Sequence, residues 1–396
     1  MSLRSVLRSA GLALACAAWL AGRPAAAADF HGFDPATFDG AMLPAANLHA
    51  MVAAAKQASP PRGGRDIVIG FANLQRDVPF CVLVEQGIRA NATAAGVRLL
   101  VEDNRLDGAT ALANAQSLAR RHVDLAVEFQ TDVNFGPRIM QTFGQARTSV
   151  IAIDIPLPGA IFFGVNNPRA GFMSGSYLAA AATQKFGGDA VAKGYLVVGV
   201  LPQSGVIPTM RTDGEIEGFK RSLTGFPADH VITFDTKNTL QESFTQMNNV
   251  LGHIPRDVPI MLTAINDESV VGMLRAVRTH GRAAQAIAVG MGADELEALS
   301  ADDDLVGATA SFPERYGNAL VPLALAVLAK QQVPPAVFVH HEIVTKQNIC
   351  KFYPKYPCQA GTPVAYSFPQ AAFASYTAEL RREPALKDYA ALIPSD

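Results

Sequence analysis

The chain has 396 residues, of which 49% are hydrophobic and 17% are charged, and its formal net charge is −2. A chain of this length and composition can build the cores of two ordinary lobes, and global disorder is not expected. No basic stripe with interleaved aromatic residues is present, so nucleic acid is not expected as a partner.

Residues 1–28 have the pattern of an export signal. Arg4 and Arg8 give a positively charged start, and the apolar stretch 10–22 is too short to span a bilayer. An A-x-A pattern ends at Ala28, so cleavage is predicted there and the mature protein is expected in the periplasm. A retained membrane anchor is the alternative. No later apolar run approaches ~20 residues, so the mature protein should be soluble.

Residues 29–64 are expected to form an N-terminal extension and linker. Within them, PAANLHAMVAAAKQ has the composition of one helix, and SPPRGGR is typical of a linker because of its Pro and Gly content. From Asp66 onwards, short apolar runs rich in β-branched residues alternate with helix-period segments. The runs predict strands, in chain order DIVIGF, VRLLVED, VDLAVEF, SVIAID, GYLVVGVL, HVITF, VPIMLTAI and QAIAVGM.

The segments between these runs have the period of helices. The predicted helices cover residues 83–95, 109–121, 168–186, 209–224, 239–253 and 267–280. Strands that alternate with such helices form parallel sheets covered on both faces, so two successive sets predict an α/β fold of two similar Rossmann-like lobes. Ligands bind at the carboxyl ends of the strands in such sheets, and the loop ANLQRDVPF, which ends at Phe80, should therefore line a cleft.

No motif of an enzyme active site is complete. A dinucleotide-binding loop after QAIAVGM would require glycine where Glu295 stands, and PQSGV around Ser204 is not a nucleophile elbow. His340 and His341 are adjacent on a predicted strand and would point to opposite faces, which does not suit a shared metal. We therefore expect no enzyme activity, no metal and no other cofactor.

The cysteines fit a protein exported to an oxidising compartment. Cys350 and Cys358 bracket the short loop KFYPKYP, so a local disulfide is predicted, with two free thiols as the alternative. Cys81 would then remain unpaired, and we expect it to be a buried, inert thiol.

Six stretches of the body occur in the order seen in a known family. They are IGFANLQRDVPFCVLVEQGI, TSVIAID, FFGVNNPRAG, EGFKRSL, AINDESVVGMLRAV and IAVGMGADELEAL. Behind an export signal, they resemble the type I periplasmic solute-binding proteins of ABC importers, nearest to the ribose/galactose-type sugar-binding branch. The resemblance covers residues 66–348. Lac-repressor-type regulators share the core but carry a helix-turn-helix in place of the signal.

The resemblance implies two lobes joined by a three-strand hinge, the periplasmic binding protein-like I fold. Lobe 1 is expected from residues 66–164 plus 312–338, and lobe 2 from residues 165–311 plus 339–348, with FVHHEIVTK as one strand. Residues 349–396 would form a C-terminal tail beyond the family fold.

The implied function is capture of a small polar ligand, of sugar or polyol type, by hinge closure. The protein, expected to be a monomer, would then deliver that ligand to a membrane permease with a cytoplasmic ATPase. Two alternatives remain open. One is a periplasmic sensor that presents its closed form to a membrane receptor kinase, and the other is a binder of a more apolar metabolite.

The resemblance also implies a set of ligand-binding residues. Asp154 matches a carboxylate that accepts hydrogen bonds from sugar hydroxyls, with Asn266 as the amide and Arg211 as the arginine of lobe 2. The alternatives are core packing for Phe80, a surface position for Arg211 and a helix cap for Asn266. The full predicted set is Phe80, Cys81, Gln130, Asp132, Asp154, Arg211, Asn266, Ser311 and Phe312.

Three positions depart from the family pattern. Ile155 stands where an arginine is usual, Gly292 lacks the usual carboxylate, and Ser311 falls about where many sugar binders have a glutamine. Discrimination among hydroxylated ligands depends on paired donors and acceptors, so these changes argue against ribose or glucose itself. They indicate a ligand with fewer hydroxyls than an aldohexose, or with a bulkier apolar substituent on one side.

Overall fold

The computed structural model describes residues 29–35, 40–130 and 132–394, so the predicted export signal lies outside the described residues. The strands are β1 (Val68–Asn73), β2 (Arg98–Asp103), β3 (Leu125–Glu128), β4 (Ser149–Ile153), β5 (Ile161–Gly164), β6 (Tyr195–Val200), β7 (Val231–Asp235), β8 (Ile260–Ala264), β9 (Ala286–Gly292), β10 (Leu305–Ala310), β11 (Ala336–Phe338) and β12 (Glu342–Val344). The helices are α1 (Ala45–Ala58), α2 (Pro79–Ala95), α3 (Gly108–Arg120), α4 (Gly136–Ala146), α5 (Asn167–Phe186), α6 (Gly188–Val191), α7 (Val206–Ser222), α8 (Leu240–Leu251), α9 (Asp267–Thr279), α10 (Leu296–Ala301), α11 (Tyr316–Leu328), α12 (Ile349–Phe352) and α13 (Gln370–Leu380).

The strands form two six-stranded sheets, one in each lobe. The order in lobe 1 is β11-β5-β4-β3-β1-β2, and all its strand pairs are parallel. The order in lobe 2 is β12-β10-β9-β8-β6-β7, in which only β12 runs antiparallel to its neighbour. The predicted α/β fold of two similar lobes is confirmed.

The central strands are buried on both faces, as parallel sheets require. In β1, Ile69 and Phe71 point to one side and pack in a cluster with α1, α2 and α11. Val68 and Ala72 point to the other side and pack against α3 and α4. Alternation with a period of two therefore places apolar side chains in both layers, which explains why these strands read as continuous apolar runs.

The chain passes between the lobes three times, at residues 165–166, 311–312 and 339–341. The expectation of a single strand over FVHHEIVTK is wrong, because β11 belongs to the sheet of lobe 1 and β12 to that of lobe 2. The residues between them form the third crossing. The three crossings place the chain connections on one side of the inter-lobe cleft.

His341 links all three crossings. It is buried in the third crossing, and its Nε2 accepts a hydrogen bond from the backbone N of Asn166 in the first, at 3.1 Å. In the tautomer that this bond selects, Nδ1 donates to the carbonyl oxygen of Ala310, which ends β10 before the second crossing, at 3.2 Å. Burial lowers the pKa of His341 to about 3, so the ring is neutral at neutral pH.

The N-terminal extension is docked on lobe 1. Helix α1 packs against α11 and α2, and its side chains Leu48, Met51 and Ala55 are fully buried. The Ser59 hydroxyl, at the end of α1, donates to the carbonyl oxygen of Leu328 at 2.6 Å. The extension therefore contributes to the lobe 1 core.

The tail packs along lobe 2 and then reaches lobe 1. Helix α13 lies against α5 and α7, where Phe373 packs edge-on against Phe172 at 5.6 Å between ring centroids. The following residues, 384–393, place Leu386 and Leu392 in one apolar cluster with Phe162 of lobe 1 and Ile207 of lobe 2. We call residues 384–393 the C-terminal strap, because they touch both lobes.

A disulfide closes the loop between α12 and the rest of the tail. The structure joins Cys350 to Cys358, with 5.0 Å between their Cα atoms. The loop carries Tyr353, whose ring stacks against Phe312 with 6.1 Å between centroids and whose hydroxyl donates to the carbonyl oxygen of Ala293 at 3.4 Å. The disulfide therefore holds the start of the tail against lobe 2 and the hinge. No helix among the described residues has the length and apolar character needed to cross a membrane.

Candidate functional site

A cleft of about 630 Å³, measured to its open mouth, lies between the two lobes. Its described lining comes from loops at the carboxyl ends of strands in both sheets and from the hinge. This is the ligand crevice expected for open parallel sheets. The lobes approach each other across it, because a Cβ atom on Gly292 of lobe 2 would lie 3.6 Å from the Phe80 ring of lobe 1.

The structure brings six of the nine sequence-predicted residues to this cleft. They are Phe80, Cys81, Asp154, Arg211, Asn266 and Ser311. The other three, Gln130, Asp132 and Phe312, are placed elsewhere, which corrects their assignment from the sequence.

Gln130 and Asp132 stabilise their own loop after β3. Gln130 is fully buried, and its Oε1 accepts a hydrogen bond from the backbone N of Asp132 at 3.1 Å. The Asp132 carboxylate caps the short turn that follows, where it accepts from the backbone N of Asn134 at 2.9 Å. Their position after a strand end predicted a place in the cleft, but both side chains bond to their own loop and neither is among the described residues that line the cleft.

Phe312 points away from the cleft because the chain turns at the second crossing. Its φ of 56° is in the left-handed region, and its ring packs against Phe352 at 5.7 Å and beneath the guanidinium of Arg315 at 4.4 Å. It borders a separate cavity behind the hinge. The neighbouring Ser311 lines the cleft, so the turn separates two side chains that are adjacent in sequence.

Asp154 lies where β4 ends, next to the first crossing. One carboxylate oxygen, Oδ1, accepts a hydrogen bond from the backbone N of Val165 at 2.8 Å. Gly164 makes room for it, since a Cβ atom there would lie 2.1 Å from Oδ1. The second oxygen has no hydrogen-bond partner among the described residues and is available to a ligand. Burial raises the pKa of Asp154, and the nearby charge of Arg211 opposes that shift.

Arg211 faces Asp154 from the other lobe. Its Nε donates to Asn167 Oδ1 at 3.0 Å, and its Nη1 donates to the carbonyl oxygen of Ile265 at 2.8 Å. These two bonds fix the plane of the guanidinium and leave Nη2 directed to the cleft. No carboxylate in the described part of the chain lies within ion-pair distance of it. Arg211 is therefore a preorganised donor with an unneutralised charge, rather than a surface residue.

The close packing of α5 on α7 sets the position of Arg211. A Cβ atom on Gly171 would lie 1.8 Å from the carbonyl oxygen of Arg211, and one on Gly175 would lie 1.9 Å from that of Glu215. Only glycine permits this helix–helix distance. The backbone that carries Arg211 is thereby held against α5.

Asn266 uses its two amide ends for different tasks. Its Oδ1 caps α9 by accepting a hydrogen bond from the backbone N of Ser269 at 3.0 Å. Its Nδ2 makes no hydrogen bond to the described residues, and the side chain lines the cleft. The cap and a ligand contact seemed mutually exclusive from the sequence, but the cap orients the amide so that its donor end faces the ligand space.

Two further polar residues of lobe 2 line the cleft and were missed by the sequence analysis. Asn238 follows β7 with a left-handed φ of 59°, and its side-chain amide makes no hydrogen bond to any described residue. Ser204 precedes α7, and its hydroxyl donates to the carbonyl oxygen of Leu201 at 2.7 Å. The signal for Asn238 was its place in the loop at the carboxyl end of a strand, next to Lys237, which also has a positive φ.

The part of the cleft formed by lobe 1 is apolar apart from Asp154. Its described side chains, which we call the lobe 1 wall, are Leu74, Val78, Phe80, Cys81, Phe129 and Ile155. Phe80 packs edge-on against Tyr316 with 5.7 Å between centroids. Burial raises the pKa of the Cys81 thiol, which therefore stays protonated and acts as a small apolar group.

Comparison with protein families identifies this arrangement of lobes and cleft. The family model described as periplasmic binding protein domain matches residues 69–332. The chain belongs to the periplasmic binding protein family. The resemblance noted in the sequence is confirmed, and the match spans strands of both lobes.

Proteins similar to this periplasmic binding protein include the binding proteins of sugar importers. The ribose import binding protein of Salmonella typhimurium is 26% identical over 272 residues, which is 68% of this chain and 87% of the relative. The Caulobacter myo-inositol binding protein, solved with myo-inositol, has a TM-score of 0.63 at 18% identity and covers 74% of this chain and 97% of its own. A Mycobacterium smegmatis ABC transporter solute-binding protein with bound glycerol has a TM-score of 0.62 at 19% identity, with 76% and 100% covered. These solved structures establish the shared fold.

One departure of this binding protein from the family pattern has a structural explanation. Gly292 has a φ of 125°, and a Cβ atom on it would lie 2.4 Å from Oδ1 of Asp294. The Asp294 carboxyl therefore occupies the space where a side chain at 292 would begin. It lies beside Asp267, and burial together with the Asp267 charge raises the pKa of Asp294 well above its usual range. Asp267 Oδ2 also accepts a hydrogen bond from the backbone N of Asp294 at 2.9 Å, which holds this turn in place.

No group of three or more His, Cys, Asp or Glu side chains within the described ranges is arranged to hold a metal ion.

Proposed function

We propose that this periplasmic binding protein captures a small, neutral, hydroxylated ligand of sugar or polyol type between its lobes. The observation that carries the proposal is the facing pair Asp154 and Arg211, one from each lobe, with a carboxylate oxygen and Nη2 that have no partner among the described residues. The names of its relatives, which include ribose and myo-inositol binding proteins, support the same ligand class.

The charges of the site favour a neutral ligand. Asp154 and Arg211 carry opposite charges across the cleft, so their sum adds no preference for an anion or a cation. A hydroxyl group can donate to the carboxylate of Asp154 and accept from Nη2 of Arg211 or Nδ2 of Asn266. Neighbouring hydroxyls on one ligand therefore satisfy both lobes at once.

A ligand held in this way would stabilise the closed arrangement of the lobes. Only a closed cleft brings Asp154 and Arg211 to the same ligand, so binding free energy shifts the equilibrium toward closure about the three crossings. The closed protein would then deliver its ligand, in the periplasm, to an ABC-type permease with a cytoplasmic ATPase. No reaction step is part of the proposal, and the relatives named above are binding proteins.

A thermal-shift screen of the mature protein against sugars and polyols tests the proposal. A ligand at 100 times its Kd should add about 2.7 kcal/mol to the free energy of unfolding. Small-angle scattering with that ligand should show a smaller radius of gyration than without it. If no sugar or polyol raises the melting temperature, the proposed ligand class is wrong.

Variants of the cleft identify the binding residues. Asp154→Ala and Asn266→Ala should each weaken binding by about 1–3 kcal/mol in calorimetry, because each leaves a ligand group buried without its partner. Asp66→Ala is the matched control, since this exposed carboxylate precedes β1 at the end of the sheet opposite the cleft, and its loss should leave the Kd unchanged. Equal loss in all three variants would contradict the site as the structure defines it.

A further inference from the structure

Hydrogen-bonding side chains are unevenly distributed over the cleft. Those with free capacity are Arg211, Asn266 and Asn238 on lobe 2, and Asp154 and Ser311 beside the hinge. In contrast, the lobe 1 wall, as far as the chain is described, offers no side-chain amide, hydroxyl or charge. The polar groups of the site thus lie on lobe 2 and beside the hinge, and the apolar groups of lobe 1 lie on the wall.

The lobe 1 wall is close to the ligand space and dry. Cys81 is 1% exposed, Phe129 is 4% exposed and Ile155 is 4% exposed, so water has little access to this side of the cleft. A ligand hydroxyl placed against it would lose its hydrogen bonds to water and gain none from these side chains. An alkyl group in the same place would gain apolar contacts at no such cost.

We propose that the ligand is amphipathic, with hydroxyls along one edge facing Asp154, Arg211 and Asn266 and an unhydroxylated alkyl part against the lobe 1 wall. A deoxy sugar or a methyl-bearing polyol has this chemistry. The inference rests on the proposed function and narrows its ligand class. The departure at Ile155 fits it, because an apolar side chain of the lobe 1 wall stands where the family usually has an arginine.

Matched pairs of probes that differ by one hydroxyl test the inference. We would titrate D-galactose against D-fucose, L-mannose against L-rhamnose, and D-ribose against 5-deoxy-D-ribose by calorimetry, using mature protein stripped of any co-purified ligand. In every pair that binds, the deoxy member should bind at least about tenfold more tightly, which corresponds to about 1.4 kcal/mol.

A variant of the wall makes the test specific to this surface. Ile155→Gln brings an amide to the wall and should reduce the deoxy preference at least about threefold, whereas Ile155→Leu should keep it. Melting temperatures of both variants show whether they fold, and the wild-type pairs decide the inference if the Gln variant does not.

The outcomes separate the two proposals. Equal or tighter binding of the fully hydroxylated members overturns the amphipathic ligand and leaves a sugar-binding function intact. If none of the six sugars binds and the wider screen of sugars and polyols is also negative, the proposed function fails and the inference fails with it. A deoxy preference that Ile155→Gln removes supports both.

Discussion

His341 should make the stability of the protein depend on pH in a predictable direction. The pKa of a histidine is about 6.5 when unfolded, and burial lowers that of His341 to about 3 in the folded protein. Between these values the unfolded state binds a proton that the folded state excludes, so stability is complete above pH 6.5 and falls as the pH drops toward 3. From pH 7.5 to pH 5.0, this single residue should cost about 2 kcal/mol of the free energy of unfolding.

The causes of this shift can be named. Burial is the largest, and the positive charges of Arg211, His340 and Arg169 also disfavour a charged imidazole. The hydrogen bond to the carbonyl oxygen of Ala310 acts in the opposite direction but is weaker. Protonation would also convert Nε2 from an acceptor to a donor, and the backbone N of Asn166 would lose its partner.

The assay compares urea unfolding at pH 7.5 and pH 5.0 for wild type and His341→Gln. Buried carboxyls such as Glu128 also titrate, with a pKa raised to about 8, but they are common to both proteins and cancel in the difference. The Gln variant should lose about 2 kcal/mol less than wild type on acidification. His253→Gln, which changes an exposed histidine that is not among these causes, serves as the control. An equal loss in wild type and His341→Gln would refute the argument.

Three further predictions concern packing and the tail. Gly171→Ala should destabilise the protein by about 1–3 kcal/mol in urea unfolding and weaken ligand binding, because its Cβ would lie 1.8 Å from the carbonyl oxygen of Arg211. Gly144→Ala is the control and should be neutral or stabilising, because nothing lies within 4 Å of its Cβ. Truncation after residue 383 removes the C-terminal strap and should lower both the melting temperature and the ligand affinity, since the strap contacts both lobes. Unchanged affinity would show that the strap stabilises only one lobe. Peptide mapping without reductant should recover Cys350 and Cys358 as one linked pair, and alkylation of both thiols in fresh periplasm would contradict the pairing.

The strands of both sheets could be predicted because buried positions are occupied mainly by apolar residues. The runs that became β1, β3, β4 and β8 are mostly apolar, since nearly every residue in them is buried. The break at residues 339–341 could not be seen in the same way. Apolar character reports that a residue is buried, but it does not report in which of two sheets the residue pairs.

The same difference between strand position and tertiary packing explains which cleft residues could be predicted from the sequence. Asp154 and Asn266 were found because a strand end fixes where the chain leaves the sheet. Gln130 and Asp132 occupy similar positions but face elsewhere, since their side chains bond to their own loop. Asn238 escaped notice because its direction depends on a left-handed backbone, which is set by tertiary packing.

The interleaved course of the chain through its hinge also constrains the order of folding. Lobe 1 begins with β1 at Val68 but lacks its edge strand β11 until Ala336, and lobe 2 receives β12 later still. A chain that emerges with its N-terminus first therefore cannot complete either sheet until nearly all of it is available. Long-range pairings of this kind are slow to form, so the late segments limit the rate at which the whole molecule reaches its native state. A nick at any one crossing should consequently leave fragments that depend on each other to fold.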